Sequence, residues 1–366
     1  MERILVVGGY GKVGAQIAAR LAARYPGRIC IGGRNGARAE AAARTAGNGA
    51  VGRAIDLASA DPGVFLEGIS LAVVCVDQAD TRFASQCLSR GIHYVDVTAD
   101  DRFLSAVELL DETARDQRAT ALLSVGVAPG LTNLLAVRAQ DALATTERID
   151  LLVDVGFGDD HGAAALGWIL ENLDAPYEVL ENGEKKNVRS FGDSLRFDLP
   201  GEPRPSAMYR FNFSDQHVLA RTLDVGSVST WIRFGSGLST WLLAQASRRG
   251  LGTVLRRQPW RAAAVALLQR TATGSNRCRV AARATGTDAS GAPRSAEIAI
   301  AGRREARMTA VVASECVRQV LRGGPPPGVV HIHQGVDLDC VITALKIDDP
   351  KVVAALSPKA ARGVEP

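Results

Sequence analysis

The opening of the chain constrains its fold more than any other stretch. Ile4-Leu5-Val6-Val7 runs, without a polar interruption, into Gly8-Gly9-Tyr10-Gly11-Lys12-Val13-Gly14. A strand apolar on both faces must be covered on both faces, which points to a parallel sheet between layers of helices. The glycines follow a G-x-G-x-x-G spacing, and Val13, Ile17 and Leu21 then recur at helical intervals, so a helix over 13–23 starts directly after the turn. In that setting each glycine has a task. Gly9 makes the tight turn, Gly11 leaves backbone N–H groups open to a pyrophosphate, and Gly14 lets helix and strand pack closely. The helix N-terminus then offers its partial positive charge to the phosphates. Tyr10, Lys12 and Val13 complete the expected nucleotide contacts of the turn.

The same alternation continues to about residue 146. Short apolar strands are predicted at 28–31, 51–55, 71–76, 93–97 and 121–127, with helices at 37–46, 81–90 and 101–115. Strands alternating with helices, joined by right-handed crossovers, give a Rossmann-type doubly wound parallel sheet. From 147 the pattern changes. Strands are predicted at 149–155, 227–234, 277–284 and 296–301, and helices at 163–173, 238–247, 261–270 and 306–321. Glu181-Asn182-Gly183-Glu184 joins strands 177–180 and 186–190 as a hairpin. This reads as an α+β second domain over 147–328. After the loop Gly323-Gly324-Pro325-Pro326-Pro327-Gly328, residues 329–366 are expected to return to the first domain.

The 366 residues suffice for two domains, and 46% hydrophobic with 22% charged residues is ordinary globular composition. A net charge of +4 gives no reason to invoke nucleic acid. Arg248, Arg249, Arg256, Arg257 and Arg261 form a local basic cluster that reads as a solvated helix face. Six scattered cysteines without a C-x-x-C pair fit a reducing cytoplasm. The apolar start is too short for a signal segment, and no apolar run reaches membrane-spanning length. Trp231, Phe234, Trp241, Trp260 and the apolar helix after it are read as core and homodimer contacts, with an apolar cavity or a membrane-facing surface as the alternative.

Cofactor choice is decided at the end of the second strand. A carboxylate there, about 20 residues after the glycines, binds the ribose hydroxyls of NAD. Here Gly32-Gly33-Arg34-Asn35 stands instead, with Arg38 one turn on. Arg34, with Asn35 beside it, can hold a 2′-phosphate through charge-assisted hydrogen bonds, so NADP (as NADPH) is the expected cofactor. Asp56 is positioned either to approach the adenine or to cap the turn at 57–60. Val76, after the fourth strand, and Pro129 are further expected cofactor contacts.

Ligands of such folds bind beyond the carboxyl ends of the strands. Asp77 and Gln78 end the fourth strand, and Tyr94 and Asp96 share a face of the fifth. A carboxylate inside a buried strand is costly unless it is paired or functional. Asp96, Asp77 and Tyr94 are the catalytic candidates; Asp96 as partner of a backbone amide and Tyr94 as a packed aromatic are the alternatives. Asn133, His161 and Trp168 are the candidate substrate contacts. Asp159-Asp160-His161-Gly162, before a helix, and Asp215-Gln216-His217, read as the end of an aromatic strand, offer groups for an ammonium or carboxylate, with a helix cap or surface loop as the favoured alternative for both. His331-Ile332-His333 puts two imidazoles on one strand face without acidic or cysteine partners at ligand spacing, so no metal is expected.

The opening glycine segment, His93-Tyr94-Val95-Asp96-Val97-Thr98 and Val125-Gly126-Val127-Ala128-Pro129-Gly130-Leu131-Thr132-Asn133 resemble the saccharopine dehydrogenase-like family, of the saccharopine reductase type. The resemblance covers about residues 1–140 and continues through Phe213-Ser214-Asp215-Gln216 and the last strand–helix pair. It implies a nicotinamide-dependent oxidoreductase that reduces an imine formed between an amino acid and a carbonyl compound. Relatives include polyamine-forming enzymes and enoyl reductases. Ala128 stands where the family often carries an acid, a departure that bears on an amino-acid substrate. Three functions are therefore distinguished: an NADPH-dependent reductase of C=N or C=C bonds in a small molecule, a transferase or lyase that recycles the nucleotide, and a non-catalytic NADP-binding protein.

Overall fold

The computed structural model describes residues 2–59, 61–156, 163–199, 202, 204–255, 257–270 and 275–355. The chain divides into two compact units, Met1–Leu131 with Ala306–Asp348, and Thr132–Glu305 with Asp349–Pro366. Sequence pattern alone puts these divisions at 146/147 and 328/329. The difference at the first arises because the helix from Thr132 packs on the second sheet.

Unit 1 is a seven-stranded sheet, parallel throughout. Its strands and helices come in the order β1 (Arg3–Val7), α1 (Lys12–Arg24), β2 (Ile29–Gly33), α2 (Gly36–Ala46), β3 (Val51–Ala54), β4 (Ile69–Val74), α3 (Arg82–Leu88), β5 (His93–Asp96), α4 (Asp101–Glu108), α5 (Asp111–Asp116) and β6 (Thr120–Leu123). The chain returns with α12 (Glu305–Leu321), β15 (Gly328–His331) and α13 (Leu338–Asp348). Across the sheet the order is β15-β6-β5-β4-β1-β2-β3. The direction of winding therefore reverses between β1 and β4, and at such a switch point the loops leave a crevice beyond the strand ends. Leu5, Ile31, Leu71, Val73, Val95 and Leu122 are fully buried, as two-sided coverage requires.

Four elements of unit 1 differ from the sequence reading. Helix 101–115 is broken into α4 and α5, because Asp111 turns to accept a hydrogen bond from Val329 N on β15 at 2.8 Å. Strand 71–76 stops at Val74, and strand 121–127 stops at Leu123, where Ser124 takes φ +58°. His333 lies in a 3-10 turn, Ile332–Gln334, so it does not share a strand with His331.

Unit 2 begins with α6 (Thr132–Gln140) and β7 (Thr145–Val155), then α7 (Ala163–Glu171) and the hairpin β8 (Pro176–Glu181) with β9 (Glu184–Arg189). Next come β10 (Ser194–Phe197), β11 (Ser206–Arg210), α8 (Ser214–Thr222), β12 (Ser227–Phe234), α9 (Gly237–Arg248), α10 (Leu251–Leu255), α11 (Trp260–Arg270), β13 (Arg277–Thr287), β14 (Pro293–Arg303) and β16 (Val353–Ala355). The large sheet is mixed, in the order β10-β11-β12-β7-β13-β14-β16. One of its faces carries Asp154, which receives ion pairs from Arg233, Arg277 and Arg279, while Glu202 accepts from Arg233 and Arg279. Those two guanidinium groups hold the Glu202 carboxyl well below the usual range.

The other large departure is at 211–222. Asp215-Gln216-His217 does not end an aromatic strand but opens α8, and Asp215 and Gln216 are buried. Gln216 is the reason: its Nε2 donates to Phe211 O and Phe213 O at 3.0 and 3.2 Å, and its Oε1 accepts from Thr230 N at 3.1 Å. Asp215 accepts from Thr230 Oγ1 at 2.6 Å, Thr132 Oγ1 at 2.9 Å and Gln216 N at 2.8 Å. Burial nevertheless dominates and pushes its carboxyl up to about 6 from 3.8, with the hydrogen bonds opposing.

This sets a pH dependence with a definite sign. Between pH 3.8 and about 6 the folded chain binds the Asp215 proton and the unfolded chain does not, so this group's contribution to stability falls as pH rises through that window. Asp215→Asn should remove it. Urea unfolding of both proteins from pH 4 to 7 should show the variant gaining on wild type with rising pH, by up to about 3 kcal/mol; a pH-independent difference would contradict the assignment.

Candidate functional site

The glycine turn is built by close approach. Gly8 takes φ +75°, and Gly11 N donates to Gly8 O at 2.8 Å. A Cβ on Gly14 would lie 2.3 Å from Gly8 O, so the first turn of α1 sits directly on the backbone that leaves β1. A Cβ on Gly9 would meet Ile31 Cγ2 and Val6 O, both at 2.9 Å. Gly11 is different: it is exposed, and its added Cβ would meet only Gly8 O, at 3.1 Å. Gly11 is also the N-cap of α1, makes no side-chain cap, and is followed by no acidic residue in the first turn. The helix thus presents unneutralised N–H groups and its positive end at the crevice. Lys12 and Val13 are half-buried in that first turn.

At the end of β2 the pattern assigns Arg34 and Asn35 a joint role, and the structure shows them in different surroundings. Asn35 is the N-cap of α2, its Oδ1 accepting from Arg38 N at 3.0 Å. Arg34 is exposed. Tyr10 lies against this strand end. Its ring faces the Arg38 guanidinium at 4.5 Å, its hydroxyl accepts from Asn35 N at 3.4 Å, and a Cβ on Gly33 would lie 2.3 Å from its Cε1. Gly33 therefore makes room for Tyr10, a role not read from the spacing. Asp56 is exposed and its Oδ1 accepts from Ala58 N at 3.0 Å, the capping alternative. Val76 is exposed beyond β4, beside Gly8, and Pro129 is buried in the turn Val127–Leu131.

A polar cluster occupies the carboxyl ends of β4 and β5. Tyr94 donates its hydroxyl to Asp96 Oδ2. Gln78 Nε2 donates to the Tyr94 hydroxyl at 2.6 Å and to Asp96 Oδ2 at 2.9 Å, and Thr98 N donates to Asp96 Oδ1 at 2.7 Å. Tyr94 and Asp96 are fully buried. Burial pushes the Asp96 carboxyl up to about 6, against the hydrogen bonds from Tyr94, Thr98 and Gln78, and the nearby Asp77 charge adds to the rise. Burial and the Asp96 charge push the Tyr94 hydroxyl well above its usual range. Cys75, next along, is pushed up to about 12 by burial and Asp96, so it stays a thiol. Asp77 itself is exposed and outside the cluster; Gln78, its neighbour, is the residue that turns in, and its Oε1 is buried with no hydrogen-bond partner among the described residues.

Next in the sheet, Ser124 Oγ lies 2.9 Å from His331 Nδ1, and His331 Nε2 lies 2.9 Å from Glu108 Oε1. His331 and His333 stack at 6.1 Å, and burial pushes His333 down to about 3. Among the described residues no three His, Cys, Asp or Glu side chains are grouped to hold a metal ion.

The candidate substrate contacts do not all fall in this unit. Asn133 is buried on α6 of unit 2. Trp168 lies on α7 of unit 2, its ring 5.3 Å from Phe211 and 5.2 Å from Phe213. His161, with Asp159, Asp160 and Gly162, lies outside the described residues.

No protein-family model matches the sequence, and no curated protein matches it. The fold is similar to that of apo saccharopine dehydrogenase (L-Glu forming) from Saccharomyces cerevisiae, with TM-score 0.68 and 13% identity over 97% of this chain and 100% of that one. A mutant meso-dapdh with DAP from Clostridium tetani E88 is 12% identical over 93% of this chain and 96% of that one, at TM-score 0.46. An engineered D-amino acid dehydrogenase is 15% identical over the same shares, 93% and 96%, also at 0.46. The likeness to saccharopine dehydrogenase, at 13% identity, speaks for the fold alone.

The geometry separates two glycines that sequence treats alike. Gly14→Ala should destabilise the chain by about 1–3 kcal/mol, because backbone must yield to the new methyl. Gly11→Ala should cost clearly less, because its new methyl meets a single backbone oxygen at 3.1 Å and the loss is chiefly that of a poorer N-cap. Equal losses in both variants would contradict the packing described.

Proposed function

We propose that the chain binds NADPH at the turn between β1 and α1 and reduces a C=N bond of a small-molecule metabolite. The observation that carries the reading is the bare, acid-free N-terminus of α1 at an exposed Gly11, together with Arg34 and Arg38 where a carboxylate would select NAD. The residues present fit the group: Gly11 leaves room for a pyrophosphate, and Gly14 brings the helix end close.

A bound nicotinamide supplies hydride. What the chain itself supplies is position and a proton. The first turn of α1 holds the diphosphate, and the Arg34 guanidinium holds the adenosine 2′-phosphate in a contact that Lys could not match in geometry. Tyr10, fixed by Gly33 and Arg38, offers an aromatic edge beside the adenosine end. Asp96, protonated below about pH 6, donates its proton to the nitrogen of the reduced C=N bond, and Tyr94 and Gln78 orient its carboxyl. The buried Gln78 Oε1 is an acceptor for an N–H of the substrate or of the nicotinamide amide. Reduction of an imine also agrees with the family resemblance carried by 93–98 and 125–133.

Two measurements test the reading. Arg34→Ala should weaken NADPH roughly ten- to a hundred-fold while leaving NADH nearly unchanged, and the NADPH loss should shrink at higher ionic strength. Equal weakening of both nucleotides would remove Arg34 from the site. In the reductive direction kcat should fall as pH rises through about 6, since the acid form of Asp96 is lost there. Asp96→Asn should lower kcat by about 10²-fold or more and flatten that limb, with NADPH affinity retained. An unaltered pH profile would exclude Asp96 as the donor.

A further inference from the structure

Three consecutive helices of unit 2 turn their large apolar side chains to solvent. On α9, Leu238, Trp241 and Leu242 stand at i, i+3 and i+4 and are 67%, 47% and 54% exposed, whereas the inward positions hold Thr240, Ala244 and Ser247. On α10, Leu251 and Val254 are exposed, and on α11 Trp260 and Leu267, two turns apart, are exposed as well. A helix that only covers a core does the reverse. Seven of the twelve large exposed hydrophobics among the described residues fall within 238–267, so they form a concentrated surface rather than scattered exceptions.

The charge of this stretch is equally one-sided. Between Asp224 and Asp288 the sequence has no acidic residue, while Arg248, Arg249, Arg256, Arg257, Arg261 and Arg270 all lie between them. Arg248, Arg249 and Arg257 are exposed, and Arg261 pairs with Glu171. Apolar and tryptophan side chains mixed with arginines, with no acid within these three helices and the neighbouring Glu171 paired with Arg261, match the chemistry of an anionic bilayer interface: acyl chains and glycerol level for the first, phosphate headgroups for the second. A two-fold contact between two copies of this surface would bring the same positive charge to both of its sides. No helix among the described residues is long and apolar enough to cross a membrane, so the contact would be with one face of the bilayer.

We propose that α9, α10 and α11 form a docking surface for anionic phospholipid membranes. The inference stands apart from the nucleotide reading. The test uses the full chain with vesicles of phosphatidylcholine alone and with about one-third phosphatidylglycerol. The chain should sediment with the anionic vesicles, less so at high salt, and its tryptophan emission should shift to the blue. Trp241→Ser with Trp260→Ser, and separately Arg248→Ala with Arg249→Ala, should each lower vesicle partition by about tenfold or more while thermal unfolding and NADPH binding stay as in wild type. No sedimentation with anionic vesicles overturns the proposal. So does binding that neither variant weakens. Concentration-dependent dimerisation in ultracentrifugation, abolished by the tryptophan variant and without vesicle binding, would assign the surface to a second copy instead.

Discussion

The contact between Gly14 and the backbone of Gly8 is the constraint on which the rest of unit 1 depends. With the added Cβ only 2.3 Å from a carbonyl oxygen, no side chain fits there, and α1 can lie directly on the end of β1. That approach aims the helix N-terminus at the crevice where the winding of the sheet reverses. It also fixes the turn 8–11, which places Gly11 in the open and lays Tyr10 along the end of β2. The Tyr10 position in turn demands Gly33, and with Arg38 above the ring it sets the wall beside which Arg34 projects. One steric requirement thus propagates through four residues from the first strand to the second.

A second principle governs the strand ends beyond this turn. The sheet is apolar on both faces, so each polar group at its carboxyl edge must find a partner or shift its ionisation. Asp96 does both: it takes hydrogen bonds from Tyr94, Gln78 and Thr98 and still has its carboxyl raised to about 6. Ser124 and His331 satisfy each other one strand further on, with Glu108 on the far imidazole nitrogen. Asp215 repeats the pattern in unit 2 with two threonines. Burial raises both carboxyls, but Asp215 is held between Thr132 on α6 and Thr230 on β12, whereas Asp96 lies at the carboxyl end of a strand of the parallel sheet, where ligands of such folds bind.

Much of this was legible in the residues. The β1–turn–α1 unit, the alternating strands and helices of the first half, and the Asn-Gly hairpin follow from period and turn chemistry. Sharing of a face by Tyr94 and Asp96 follows from strand alternation alone. Other features depend on distant partners. The stretch 194–210, rich in Pro and Arg, hides β10 and β11, because their pairing comes from the sheet and not from their own alternation. The aromatic run before Asp215 reads as strand, and it is Gln216 binding two carbonyls and an amide that ends it. Gln78 and Asp77 are indistinguishable as strand-end residues; which one turns inward is decided by the Tyr94 hydroxyl sixteen residues later. Asn35 reads as a phosphate ligand, and its Oδ1 also caps α2, a role that spacing alone does not reveal.

In the function proposed above, the turn after β1 and the arginine after β2 together hold a 2′-phosphorylated adenine dinucleotide. This binding is tested most directly without any catalytic assay, by calorimetric titration of the unaltered chain with ADP-ribose and with its 2′-phosphate. Both ligands carry the pyrophosphate that the helix end would bind, and they differ only in the group assigned to Arg34. The account predicts that both bind, with the 2′-phosphate favoured roughly ten- to a hundred-fold at low salt and less at high salt. Absence of binding by either ligand, or equal affinity for the two, would contradict it.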